Sequence, residues 1–266
     1  YEFNKLRQAV KQVVNDIRQN TPAIKVRPQH DENEDLAEIR QGIIRNIESQ
    51  SNADTVYDWG ALYSVSCGYG VWRIDTVYAD DDSFDQDIRI MRVHNPFSVR
   101  FDPGATSLTR EDARFAFVED DISVAEFKRR WPKDEVSSMD DGEDLQQLRH
   151  WFGAKTIKIV EYWCIEPDTK EILLLSNGKV VDAVNDDGTK FDEELAANPP
   201  NDPMTGQPAF EPVTVEERRT VDAHKVTMEL CSGKEILEEP YKWAGKYIPL
   251  VPCWGDFVHV AGKDQW

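Results

Sequence analysis

The run 51–103, SNADTVYDWGALYSVSCGYGVWRIDTVYADDDSFDQDIRIMRVHNPFSVRFDP, constrains the fold more than any other part of this chain. Within it the apolar period changes from that of a helix to that of a strand. Val56, Trp59, Leu62 and Tyr63 recur at helical spacing, with Gly60 beside Trp59. Ser51 or Asn52 can cap the helix start, because either side-chain oxygen can accept a free backbone N–H. Gly68 and Gly70 then permit a tight exit that a Cβ would resist. Over 71–78 the period is two: Trp72, Ile74, Thr76 and Tyr78 on one face, Val71, Arg73, Asp75 and Val77 on the other. An acidic turn from Asp80 to Asp87 reverses the chain. Ile88, Ile90 and Arg92 alternate with Arg89, Met91 and Val93, and Asn95-Pro96 breaks the strand before 97–101 resumes it. A helix handing over to a β-meander is the frame that the rest has to fit.

The flanks supply more of both. A first helix is expected over 2–20, with Phe3, Leu6, Val10, Val13, Val14 and Ile17 as one apolar stripe and Pro22 ending it. Residues 23–28 read as extended. A second helix carries Leu36, Ile39, Ile43, Ile44 and Ile47 at helical spacing. Isolated helices are marginal, so these are expected to pack on the following sheet with their stripes as core. Beyond Pro103-Gly104, a Ser/Thr/Asp-rich loop leads to a strand over 114–118. Ser123-Val-Ala-Glu126 reads as a capping box, with Phe127 and Trp131 on the apolar side and Pro132 as the stop. An acidic stretch over 134–144 and a short helix over 143–152 close this half.

The second half reads as mostly β. A strand over 156–166 is expected to turn at Pro167-Asp168-Thr169-Lys170 and return over 171–176. Asn177-Gly178 is a two-residue hairpin signal, followed by a third strand over 179–183. The 185–212 excursion holds Pro199, Pro200, Pro203, Pro208 and Pro212, and is expected to be mobile or held by a partner. Strand resumes over 213–230, turns at Ser232-Gly233 and pairs back over 234–238. The apolar 247–254 carries Pro249 and Pro252, which suits an edge or a connector. The expected fold is α+β: N-terminal helices packed on antiparallel β-sheets, then a β-rich half. The expected division is 1–155 and 156–266.

No chemical motif emerges. Cys67, Cys164, Cys231 and Cys253 form no C-x-x-C pair, so a zinc site is not expected, and reduced thiols in apolar surroundings are. The five histidines are dispersed. The acidic runs 80–87, 140–144 and 185–194 miss the spacing of a calcium loop and read as solvated turns. Pro167-Asp168 invites a metal-dependent nuclease reading, but no acid-x-Lys follows at a suitable distance, since Asn177-Gly178-Lys179 lacks the acid. There is no P-loop, G-x-G-x-x-G or G-x-S-x-G. No catalytic, cofactor-binding or metal residue is assigned. Trp72, Trp131, Trp151, Trp163, Trp243, Trp254 and Trp266 read as core first, and as interface anchors second.

The chain of 266 residues carries a net charge of −19, opposite to what a phosphate-neutralising clamp needs. Solubility explains much of it. A passage through which DNA slides would also benefit, since an acidic wall repels phosphates. No apolar run approaches the ~20 residues of a membrane span. Without an initiator Met, and opening inside a helix, the chain reads as a piece of a longer protein.

SNADTVYDWGA followed by GYGVWRIDTVYADDDSFDQDIRIMRVHNPFSVRFDP resembles the portal proteins of tailed bacteriophages of the P22-like type. So do NKLRQAVKQVVNDIRQNTPAIKVRP before it and DARFAFVEDDISVAEFKRRWP, VEYWCIEPDTKEILLLSNGKVVDA and KYIPLVPCWGD after it, in the same order. The resemblance covers nearly the whole chain and rests on long stretches in order. It implies a structural protein that forms a dodecameric ring at one capsid vertex, through which double-stranded DNA is packaged and ejected. It further implies terminase, scaffold, major capsid and tail-adaptor proteins as partners, and a place in the virion after synthesis in the host cytoplasm. This piece would be mainly the wing-like outer part, with stem, clip and any C-terminal barrel beyond it. A protein-interaction module that forms no ring, or a nuclease using Asp168, are the alternatives.

Overall fold

The computed structural model describes residues 4–20, 23–28, 34–132, 156–185, 188–200, 208, 211–233, 235–256, 258–260 and 263–265. It is α+β, as the pattern predicts: helices gather at the N-terminal end and the strands pair antiparallel.

Three helices come first: α1 (Leu6–Gln19), α2 (Glu34–Ser51) and α3 (Ala53–Cys67). Asn52, between α2 and α3, adopts a left-handed conformation at φ 49° and ψ 48°. Its side chain makes no capping bond; its backbone carbonyl accepts from Thr55 N–H at 3.0 Å instead. Ser51 Oγ is also diverted, accepting from Ile90 N–H at 2.9 Å. Neither expected cap therefore forms, because the joint is a one-residue hinge between two helices and not a free helix start. Gly68 ends α3 as the spacing predicts, left-handed at φ 82°, its N–H donating to Ser64 O.

Strands β1 (Tyr69–Tyr78) and β2 (Gln86–Arg92) follow, in register from Trp72↔Arg92 to Tyr78↔Gln86. Asn95 Oδ1 accepts from Phe97 N–H and starts a 3₁₀ turn at Pro96–Ser98, after which β3 (Val99–Phe101) begins. Next come β4 (Phe115–Ser123) and α4 (Val124–Arg130). Ser123 Oγ accepts from Glu126 N–H at 3.1 Å, while the Glu126 carboxylate takes Arg129 and Arg130.

Pro167 does not turn the chain. β5 runs unbroken over Thr156–Leu175 with Pro167 inside it, since proline's fixed φ is compatible with extended backbone. The turn comes at Asn177-Gly178, with Gly178 at φ 75°, and β6 (Val180–Asp182) pairs back on β5. Within the proline-rich excursion, Asn185 and Thr189 close a tight turn and α5 (Glu193–Ala197) is capped by Asp192. Phe191 N–H donates to Ala183 O and Val213 N–H to Ala196 O. These parts of the excursion are held by their own chain. β7 (Val215–Cys231), β8 (Tyr241–Trp243), β9 (Leu250–Trp254), β10 (Val258–Val260) and β11 (Lys263–Gln265) complete the order.

One sheet runs β2-β1-β9 and another β3-β4-β5-β7-β8, with β6 on β5; β10 pairs with β11. The expected edge role of 247–254 is met, with Pro252 opposite Val71 and Tyr69 opposite Trp254. The chain divides into two compact units: Tyr1–Cys164 with Met228–Tyr241 and Tyr247–Trp266, and Ile165–Thr227 with Lys242–Lys246.

In the first unit, α2 and α3 pack on β1 and β2, and α1 packs on α3. Ala53, Val56 and Ile90 are buried there, with Ile47, Tyr57 and Trp72 against them. A second core joins Ile122, Phe127, Trp131, Ile157 and Ile159 with Leu230 and Leu237. Arg73 of β1 forms an ion pair with Glu161 of β5 at 3.0 Å and with Asp75 at 3.0 Å.

The apolar helical stripes are not core throughout. In α1 only Val14 is buried, while Leu6, Val13 and Ile17 are exposed. In α2, Leu36, Ile39 and Ile43 are exposed, whereas Ala37 is buried. Each helix uses one flank of its stripe to pack and leaves the other uncovered.

Candidate interaction surface

Asp168, the residue behind the nuclease reading, lies within β5 and accepts from Lys225 Nζ of β7 at 2.7 Å. That hydrogen bond holds its carboxyl below the ordinary range. Asp168 is thus matched to a cation on a neighbouring strand. Among the described residues, no three His, Cys, Asp or Glu side chains stand where they could hold a metal ion. The run 140–144 lies outside the described residues. The thiols of Cys67, Cys164, Cys231 and Cys253 are free, and Cys67 is exposed, contrary to the expected apolar setting.

The described tryptophans are buried or half-buried. Trp163 and Trp131 are buried, and Trp131 Nε1–H donates to Glu238 at 3.1 Å. Trp254 Nε1–H donates to Leu108 O at 2.8 Å, with Tyr69 at 4.9 Å and the Arg110 guanidinium 5.0 Å from its ring centre. Trp72, Trp243 and Trp254 are partly buried; Trp151 and Trp266 lie outside the described residues.

Surface anchors come from other residues. At the β1–β2 turn, Ala79 N–H donates to Asp85 O at 2.9 Å and Ser83 N–H to Asp80 O at 3.1 Å. Ser83 Oγ accepts from Asp85 N–H at 3.0 Å. On this bonded turn Phe84 is 96% exposed, amid Asp80, Asp81, Asp82 and Asp85. Asp87 is paired with Arg89 at 2.9 Å. Tyr78 and Ile88, at the base of the tip, are exposed as well.

The segment 4–28 has the opposite charge. It holds Lys5, Arg7, Lys11, Arg18, Lys25 and Arg27 against Asp16 alone. Arg18 is paired with Asp58 at 2.7 Å. Leu6, Val13, Ile17 and Ile24 add exposed apolar surface to the same segment. In the sequence the hairpin tip is marked by a solitary aromatic, Phe84, within an acidic turn.

The family model described as phage P22-like portal protein matches residues 1–266. The chain belongs to the P22-like phage portal protein family. The portal protein of Acyrthosiphon pisum secondary endosymbiont phage 1 is 24% identical over 264 residues, covering 96% of this chain and 35% of that protein. The chain therefore spans just over a third of the length of that portal protein. Among the described residues, exposed apolar groups gather at an acidic aromatic tip, on a basic apolar segment and along one flank of α2.

Proposed function

We propose that this chain is the wing-like part of a phage portal protein whose ring, dodecameric as the resemblance implies, occupies one capsid vertex. Double-stranded DNA enters through the ring during packaging and leaves through it during ejection. Terminase large subunit, scaffold, major capsid and tail-adaptor proteins dock on it. Its role is structural, with ATP hydrolysis left to the terminase. Residues 1–155 form the wing-like portion, and the β-rich 156–266 leads towards a stem. The protein is made in the host cytoplasm and resides in the virion.

The observation that carries this reading is the family match over residues 1–266. The net charge of −19 supports a path for DNA, because a wall that repels phosphates lets the duplex slide and does not retain it. The test is the mass of the full-length parent protein by light scattering, with electron-microscope class averages of the same peak. A closed ring with a central hole is expected. A monomer at every concentration and salt would favour a binding module that forms no ring.

A further inference from the structure

We propose that the tip of the β1–β2 hairpin of one copy docks on the 4–28 segment of the next copy, a contact that rests on the ring reading above. This chain carries −19, so a patch of opposite sign lowers the electrostatic cost of bringing two copies together here. Segment 4–28 is such a patch: six cations and one acid give a net +5, which leaves −24 for the rest of the chain. The hairpin tip is its counterpart. Residues 78–88 contain five aspartates and no cation, a net −5.

Both patches have unspent capacity. Among the described residues, Lys5, Arg7, Lys11, Lys25 and Arg27 have no carboxylate partner, and Asp80, Asp81, Asp82 and Asp85 have no cationic one. Both carry apolar groups that serve no fold of their own: Phe84 on one, Leu6, Val13 and Ile17 on the other. An exposed aromatic on a bonded turn loses little side-chain freedom when it docks, and the surrounding charges select its partner. Within one chain α1 rests on α3, and Phe84 at 96% exposure touches little, so the two patches do not satisfy each other internally. Because they are different surfaces, the contact is head-to-tail, and repeats around a ring when the rotation closes.

The experiment uses the full-length protein. Asp81→Lys, Asp82→Lys and Asp85→Lys together are expected to weaken self-association about tenfold or more, as are Lys5→Glu, Arg7→Glu and Lys11→Glu together. A chain carrying all six changes is expected to recover assembly. Circular dichroism and thermal melts check that each variant folds. In a Cys67→Ser background, mixed Phe84→Cys and Val13→Cys chains are expected to form an inter-chain disulfide, whereas Phe84→Cys with Lys179→Cys is not. Rings that assemble normally with either charge-reversed set, or absence of the 84–13 cross-link within intact rings, would overturn this contact and leave the ring reading standing. Failure of the unaltered protein to associate would defeat both.

Discussion

Gly70 lies so close to α3 that a Cβ there would collide with the Gly60 carbonyl oxygen and sit 3.1 Å from Gly60 Cα. Backbone meets backbone at this point, and no side chain can move aside to relieve it. Gly70→Ala forces β1 away from α3 and is expected to cost about 2–3 kcal/mol. Gly42 should behave in the opposite sense. It is exposed within α2, with nothing within 4 Å of an added Cβ. Gly42→Ala is expected to gain about 0.5–1 kcal/mol by removing backbone freedom from the unfolded chain. Urea unfolding of both variants measures the two shifts, and equal shifts of one sign would refute the helix–strand contact. Arg110 shows a different use of a single position. Buried at φ 56°, it donates to the Ala105 carbonyl and packs by Trp254, so the 102–114 loop is fixed from inside.

Among the elements, α4 shows how much a short helix can owe to its neighbours. Its seven residues are too few to stand alone, and Phe127 is only 1% exposed against Ile122, Ile157 and Trp131. Phe127→Ala is expected to cost about 3–5 kcal/mol, and Ser123→Ala about 1 kcal/mol through the lost cap. Thermal unfolding followed by near-ultraviolet circular dichroism would report both, and a Ser123→Ala loss matching that of Phe127→Ala would mean the cap dominates. Features settled within a few residues were legible in the sequence: the Gly68 exit, the Ser123 cap, the Asn177-Gly178 turn and the existence of strand β1. What depended on distant partners was not. Pro167 reads as a breaker, yet it sits inside a strand of 20 residues whose extent is set by its neighbours in the sheet. Leu6 and Ile39 read as core because period reveals a face but not what covers it. The hinge at Asn52 was hidden because Ser51 is drawn to Ile90, 39 residues away. For the candidate surface, both the acids of the tip and the aromatic among them were visible in the sequence, whereas the extent of Phe84's exposure depends on the bonded turn that holds it out.

At the scale of the whole molecule, charge sets the response to acid. Asp102 and Asp112 are pushed up by burial, but hydrogen bonds outweigh this and hold both carboxyls below the ordinary range: Gly104 N–H and Arg114 on Asp102, Thr106 and Ser107 on Asp112. Glu119 follows the same pattern through Lys158 and Arg100. On acidification the unfolded chain takes up protons first, near pH 4. The stability these groups contribute is therefore complete above about pH 4 and lost as pH falls through their depressed folded values. Relief of net repulsion acts the other way between neutral pH and the isoelectric point of about 4.6. Urea midpoints are expected to hold or rise from pH 7 to pH 5 and to drop below pH 4, with Asp102→Asn lowering the neutral value and lessening the drop. A monotonic decline from pH 7 would contradict this balance. The β1–β9 pairing has a consequence in time. The partner of Tyr69 is Trp254, so at a synthesis rate of about 5–20 residues per second β1 waits on the order of 10–35 seconds for its third strand. During that interval one of its edges is open to other nascent chains. The unit that holds β1 therefore begins to fold well before its sheet can close.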